Sequence, residues 1–317
     1  MSKRRRALRE EQPCEGPQAR VGEEMRVEEV AVYGAAVAVA ALFSVTLVRR
    51  YFLRGRTNRA LLYWATALGM FCLAAAGLAY GAVVGWSSGP FRFYYLFGGV
   101  LTVPWLALGT VETMARDPAA LRVLGITSLG VGALLAAPLV FAAGNPLLYV
   151  PGLAFALIWG LLLLTTVGDA AEAASLALIV TFTVVSVFVV ASAGLEQSIV
   201  PTSLPEGSEV FPAGVRGLAL GANALGTFLV IVGAAVSAFR LRGQRMPHLV
   251  VGNLLIALGV LVAAAGGLFA RFGDTASHSI AFAVGVAIMY AGFSRTTRPL
   301  TPPGGAEVAD RRSKPAE

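Results

Sequence analysis

The sequence predicts an all-α polytopic transmembrane helical bundle of about nine helices, and three observations support this fold class. Of the 317 residues, 56% are hydrophobic and 14% are charged, whereas soluble domains carry about 25% charged residues. Apolar runs recur along the chain at lengths that cross a bilayer, which takes roughly 20 helical residues. Arginines cluster at the ends of these runs. Seven or eight helices are the alternatives to nine.

The predicted spans follow one another in a single transmembrane domain, residues 30–294. The first begins where a polar N-terminal segment ends and stops at a group of arginines, after which the second begins. A few residues around Asn145 and Pro146, which favour turns, separate the fourth span from the fifth. The last span is the shortest. The nine segments are 30–48, 60–84, 91–113, 123–143, 147–167, 175–193, 217–239, 249–270 and 279–294.

Polar segments flank this domain. Residues 1–29 carry seven basic and seven acidic side chains and no apolar core, which predicts a disordered tail and no signal peptide. The string "VGEEMR" places Gly-Glu-Glu before Met25, and one way of encoding Gly-Glu-Glu spells a ribosome-binding site. Our hypothesis is that Met25 is the true start and that residues 1–24 are a mis-assigned extension. Residues 295–317 are predicted to be a disordered cytoplasmic tail.

The basic residues predict the orientation, because basic loops resist translocation. With nine spans and the N-terminus outside, 15 basic residues fall inside and three outside, apart from seven in the N-terminal tail. The sequence therefore predicts a plasma-membrane protein with a cytoplasmic C-terminus and anionic headgroups as contacts. No basic stripe mixes with exposed aromatic residues, so nucleic acid is not a predicted partner. The main topology determinants are Arg49, Arg50, Arg54, Arg56 and Arg59.

The third span is the most distinctive. Aromatic residues cluster at its outer end, and Pro104 interrupts the backbone ladder near its middle, which frees the carbonyl of Val100. Such a kink favours either a ligand pocket or helix packing. The predicted ligand-binding residues are Tyr94, Tyr95, Thr102 and Trp105.

Glu112 is the only acidic residue within a predicted span. It lies near the inner end of the third span. Arg116 follows one helical turn later, and this spacing predicts an ion pair between the two side chains at the membrane interface. The alternative is a proton or ion relay, because an ionisable group in a membrane is costly. Asp169 and Glu172 precede the sixth span and are predicted to stabilise its positive N-terminal end.

Small residues at four-residue spacing in the later spans predict close helix contacts, and two amides in apolar surroundings predict hydrogen bonds between helices. The predicted helix-packing residues are Gly217, Gly221, Asn223, Asn253, Gly259 and Gly267. The long outer loop 195–216 contains three prolines and is either a stiff connector or a lid over the bundle.

The sequence lacks the residues that several kinds of active site require. No lysine lies in a span, the two histidines fall at opposite faces, and the two cysteines make neither a disulfide framework nor a CxxC knuckle. There is no Walker loop and no GxSxG elbow. We therefore predict no catalytic residue, no metal and no cofactor.

The strings "FYYLFGGVLTVPWLALGTVE", "GNLLIALGVLVAAAGG" and "GVAIMYAGF" together resemble a set of uncharacterised actinobacterial integral membrane proteins. The resemblance implies a bacterial inner-membrane setting and carries no assigned activity. The predicted function is a non-enzymatic sensor or scaffold that binds a small apolar or lipid-like ligand, or a partner membrane protein. The alternative is a secondary transporter or exporter.

Overall fold

The computed structural model describes residues 17–53, 55–141, 144–201, 204–242, 247–271 and 275–296, without the side chains of 17–29, 267–271, 275, 276, 278, 279 and 296. The helices are α1 (Pro17–Leu53), α2 (Ala60–Val84), α3 (Ser88–Tyr94), α4 (Thr102–Met114), α5 (Pro118–Val140), α6 (Val150–Thr165), α7 (Asp169–Ser192), α8 (Gly207–Val210), α9 (Ala213–Arg242), α10 (Pro247–Arg271) and α11 (Thr275–Thr296). A π-helical segment, Tyr95–Leu101, joins α3 to α4, and a 3-10 turn, Pro146–Leu148, precedes α6.

The all-α membrane bundle is confirmed, and the chain is a multi-pass membrane protein. Within the described ranges, seven helical segments are long and apolar enough to cross a bilayer. Two shorter apolar helices, Val150–Thr165 and Ile280–Arg295, lie where the fifth and ninth spans were predicted. The prediction of about nine helices, with seven or eight as alternatives, is consistent with this architecture.

Among the helices that begin earlier than predicted, α5 and α7 both start in a polar stretch. The carboxylate of Asp117 accepts hydrogen bonds from the backbone N–H groups of Ala119 and Ala120, both at 3.1 Å, and α5 starts at Pro118. Similarly, α7 starts at Asp169 instead of residue 175, which places Glu172 in its first turn. The predicted inner loop is therefore partly helical.

At the chain ends, α1 extends back to Pro17, into the segment predicted to be a tail, and α11 ends at Thr296. Residues 297–317, the rest of the predicted cytoplasmic tail, lie outside the described residues. The Met25 start remains a hypothesis.

Six helices form a closed ring. In order around the ring, α1 contacts α2, α2 contacts α4, α4 contacts α9, α9 contacts α10, α10 contacts α11, and α11 returns to α1. Outside the ring, α5 and α6 pack against each other and against α9, while α7 contacts α4 and α6. Helix α9 is therefore the shared wall between the ring and the outer group.

The connections lie at two opposite ends of the bundle. We call one the arginine end, which holds the connections 55–59, 115–117 and 166–168. The other is the aromatic end, which holds 85–87 and 193–212. Contacts between connections support this division, since Gly168 N donates to Ala115 O at 2.7 Å and Trp86 N donates to Pro201 O at 2.9 Å.

Glycines allow the closest helix contacts. A Cβ atom built on Gly221 of α9 would overlap the Cα atom of Gly152 in α6, and one on Gly217 would lie 2.6 Å from the carbonyl oxygen of Leu147. A Cβ atom on Gly259 of α10 would lie 2.6 Å from the carbonyl oxygen of Gly285 in α11. The side-chain surroundings of Gly267 lie outside the described residues. Small residues thus bring these backbones together, as membrane helix packing requires.

Candidate functional site

The four predicted ligand-binding residues point to different neighbours. The Tyr94 ring lies 6.1 Å from the Trp86 ring, centroid to centroid, and the Tyr95 ring lies 4.6 Å from Phe211. Trp105 Nε1 donates a hydrogen bond to Thr183 Oγ1 of α7 at 3.1 Å. The hydroxyl of Thr102 donates to the carbonyl oxygen of Phe97, in the preceding π-helical segment, at 2.6 Å. Each of the four residues thus has its own neighbours, and their role in ligand binding stays a prediction.

The irregular part of the third span lies one turn before Pro104. The π-helical segment shifts the backbone hydrogen bonds there, as such segments do. Asn223 Nδ2 donates to the carbonyl oxygen of Gly99 at 2.5 Å and to that of Ala219 at 2.9 Å. The amide thus joins α9 to the π-helical segment. At the other end of α9, Asn253 Nδ2 donates to Ser237 Oγ at 2.8 Å and joins α10 to α9.

A small cavity of about 40 Å³ lies inside the six-helix ring. Every ring helix contributes to its wall: Phe43 (α1), Trp64 (α2), Leu106 (α4), Val230 (α9), Ile256 (α10) and Phe293 (α11).

The polar groups that line this cavity, which we call the ring cavity, already form hydrogen bonds within the protein. Trp64 Nε1 donates to the carbonyl oxygen of Leu106 at 3.2 Å, and the Thr110 hydroxyl donates to the same oxygen at 3.3 Å. Apolar cavities of this kind stay dry. Sequence reasoning missed the ring cavity because it exists only when α1 meets α11, helices at opposite ends of the chain.

A cluster of ionisable residues lies at the arginine end, where the starts of α2 and α7 meet the end of α4. We call Arg59, Tyr63, Glu112 and Glu172 the carboxyl cluster. Arg59 donates to Glu172 Oε1 at 2.7 Å, and the Tyr63 hydroxyl donates to the same oxygen at 3.0 Å. The Glu172 side chain is buried, with 10% of its surface exposed. The hydrogen bond with Glu172 raises the pKa of the Arg59 guanidinium, so this partner stays charged.

Glu112, near the end of α4, interacts electrostatically with both Glu172 and Arg59. Its Oε2 atom is buried and has no hydrogen-bond partner among the described residues. Glu112 was predicted to pair with Arg116, whose guanidinium lies 3.7 Å from the carboxylate of Asp169. The early start of α7 brings both Asp169 and Glu172 to this end of α4, which sequence reasoning did not anticipate.

The described residues of the loop 195–216, which leave out 202 and 203, pack over the aromatic end. Phe211 is fully buried, and its ring stacks on Phe91 at 5.3 Å between centroids. Arg92 donates hydrogen bonds to carbonyl oxygens in the last turn of α7 and just beyond it, those of Val190, Ala191 and Ala193. The orphan carbonyls at the end of a helix need such donors. The loop and Arg92 together close the aromatic end of the bundle.

In the part of the chain that the structure describes, no three His, Cys, Asp or Glu side chains are grouped as a metal site would require. These features define the class: an α-helical multi-pass membrane protein with an apolar interior cavity and a buried carboxyl cluster. No protein-family model, curated protein or solved structure matches the chain.

Proposed function

We propose that this membrane protein binds a small apolar molecule in the ring cavity and acts as a non-enzymatic sensor or scaffold. The observation that carries the proposal is that all six ring helices contribute to one apolar wall. A ligand there touches every helix of the ring at once. Any difference in its affinity for two arrangements of the ring would shift the equilibrium between them.

The size of the cavity limits the ligand. About 40 Å³ is far below the roughly 300 to 1,000 Å³ of drug-sized pockets. The ring as it stands accommodates a molecule of a few heavy atoms or the end of a hydrocarbon chain. Its polar groups are already bonded to Leu106, so an apolar ligand leaves no buried hydrogen-bonding group without a partner.

A photoreactive alkane with a diazirine group tests this proposal in protein reconstituted into nanodiscs. We expect saturable adducts on Trp64 and Leu106, mapped by peptide mass spectrometry. The variant Val230→Ile places an extra methyl group in the cavity wall and should reduce these adducts. Leu258→Ile is the control, because Leu258 is 47% exposed on the lipid-facing side of α10. Adducts on lipid-facing residues alone, equal in both variants, would contradict the proposal.

We also propose that the arginine end is cytoplasmic, in the plasma membrane, where it contacts anionic headgroups. Arginine counts support this orientation. At the aromatic end the described ranges include Arg92, Arg216 and Arg271, together with Arg20 and Arg26 in the N-terminal part of α1. The arginine end holds Arg49, Arg50, Arg56, Arg59, Arg116, Arg122, Arg240, Arg242 and Arg295.

Proton-coupled transport is the second candidate, and the carboxyl cluster favours it. Two carboxyl groups near the membrane boundary are the kind of group that proton relays in transporters use. If Glu112 carries the coupled proton, Glu112→Gln should abolish proton-dependent uptake or export in vesicles. Unchanged transport in that variant would reject this candidate.

A further inference from the structure

We propose that the ligand of the ring cavity is an amphiphile, with the end of its hydrocarbon chain in the cavity and its anionic head group on the Arg50 guanidinium. The inference rests on the proposed binding of an apolar molecule in this cavity, and it names the chemical class of that molecule. Its support comes from the size of the cavity, from its position near the arginine end and from the positive charge beside it.

The volume of the cavity limits how much affinity an apolar contact alone contributes. About 40 Å³ holds roughly three groups of carbon size, because one water-sized group takes about 10 to 15 Å³ of such volume. Each buried CH₂ group raises the affinity about fourfold, so three of them give roughly sixtyfold. Binding must also offset the translational and rotational freedom that the ligand loses. A ligand that stays bound therefore needs a second contact outside the apolar wall.

The cavity lies about one helical turn from the arginine end. Trp64 comes four residues after the start of α2, Thr110 four residues before the end of α4, and Phe293 three residues before the end of α11. At about 1.5 Å per residue, each is roughly 5 to 6 Å from that end of its helix. A ligand whose last carbon atoms fill the cavity would therefore reach the arginine end with its next few atoms.

Arg50 places a positive charge next to the cavity. Its guanidinium carbon lies 5.1 Å from the centroid of the Phe293 ring, which lines the cavity. Phe43, Leu47 and Arg50 occupy positions i, i+4 and i+7 of α1 and therefore share one helix face. Phe43 also lines the cavity, Leu47 is fully buried, and Arg50 is half-buried. The charge thus lies two helical turns from Phe43, in the direction of the arginine end.

An anionic head group suits this position. A guanidinium carries five N–H donors in a planar fork that matches a carboxylate or a phosphate. Arg50 has another interaction within the protein, and the head group would add to it. A hydrogen bond to a charged group contributes about tenfold to a hundredfold in affinity. This contribution is as large as that of three buried CH₂ groups, so the head group and the hydrocarbon end select the ligand together.

Photolabelling of the full chain in phosphatidylcholine nanodiscs tests the inference with two probes. One is a medium-chain alkyl sulfonate, which is always ionised, and the other is the neutral alcohol of equal length. Both carry a diazirine at the hydrocarbon end. The measured quantity is the ratio of their half-saturating concentrations for adducts on Trp64 and Leu106. Comparing this ratio between variants cancels the partition of each probe into the lipid.

Arg50→Gln should reduce the preference for the sulfonate about tenfold or more and leave labelling by the alcohol unchanged. Arg49→Gln is the matched control, because Arg49 is the adjacent arginine of the same helix and is exposed. It removes the same charge from the chain and should keep the wild-type ratio. Equal ratios in the two variants, with the alcohol still labelling the cavity, would overturn the inference and leave the proposed function intact. Absence of adducts in the cavity with either probe would reject both.

A measurement on the wild type keeps the test decisive if Arg50→Gln does not fold. A sulfonate probe with its diazirine beside the head group should label the peptides that contain Arg50 and Phe293. Labelling at the aromatic end instead would overturn the inference. Competition identifies the source of the ligand: displacement by octanoate indicates a free fatty acid, and displacement by phosphatidylglycerol in the nanodisc indicates a membrane lipid. If neither competitor displaces the probe, the inference fails.

Discussion

The contact between Gly221 and Gly152 makes a sharp prediction about stability. In Gly221→Ala, the new methyl carbon would overlap the Cα atom of Gly152 and lie 3.0 Å from its backbone nitrogen. Carbon atoms pack best at about 3.5 to 4.0 Å. Because the obstructing atoms are backbone, no side-chain rotation relieves the overlap, and α6 must move away from α9.

The size of the effect follows from two terms. Overpacking a close contact costs about 1 to 3 kcal/mol, and a backbone obstruction belongs in the upper half of that range. The usual gain from replacing glycine in a helix is small here, because membrane helices stay formed when they separate. We expect Gly221→Ala to lose about 2 kcal/mol of stability, roughly a thirtyfold change in the unfolding equilibrium constant.

Steric trapping in lipid bicelles measures this equilibrium. The matched control is Gly214→Ala in the same helix, where nothing lies within 4 Å of an added Cβ atom. The control should stay within about 0.5 kcal/mol of wild type. If Gly221→Ala is as stable as Gly214→Ala, the close approach of α6 and α9 is not a stabilising contact and the reasoning fails.

Two further predictions concern the π-helical segment and the orientation. Asn223→Leu removes the donor from the Gly99 carbonyl and should destabilise the bundle by about 1 kcal/mol, with faster hydrogen exchange around that segment; unchanged exchange would show that the amide does not hold it. Replacing Arg49 and Arg56 with glutamine should produce a fraction of inverted molecules, since each arginine near an anionic surface contributes about 1 kcal/mol. Cysteine labelling from each side of the membrane measures that fraction, and a single unchanged orientation would assign the topology signal to other loops.

The apolar runs in the sequence were enough to predict the fold class. A backbone that crosses lipid must satisfy its own hydrogen bonds, and a helix does so within each apolar run. The span predicted at 60–84 has the limits of α2 for that reason, whereas α1 extends beyond the predicted 30–48 at both ends. The starts of α5 and α7 were misplaced. In both, short polar stretches that looked like loops are the first helical turns, capped in α5 by Asp117.

The candidate sites were harder to predict from the sequence than the fold class was. Glu112 was singled out as the one acid within a span, but its partner was taken to be Arg116, one turn away. The Arg116 guanidinium lies 3.7 Å from the carboxylate of Asp169 in α7 instead. Helical periodicity predicts neighbours within one helix and contains no information about which helices touch.

What the sequence by itself determined is therefore the class of protein, the helices and the residues capable of close packing or ionisation. Only the tertiary structure decided that α1 meets α11 beside an apolar cavity, and that Arg59 and Tyr63 at the start of α2 donate hydrogen bonds to Glu172 of α7. The physical reason is that helix formation in a membrane depends on the hydrogen bonds and hydrophobicity of each segment alone. Helix association depends on the shapes and polar groups of whole surfaces, which come together only in the folded chain.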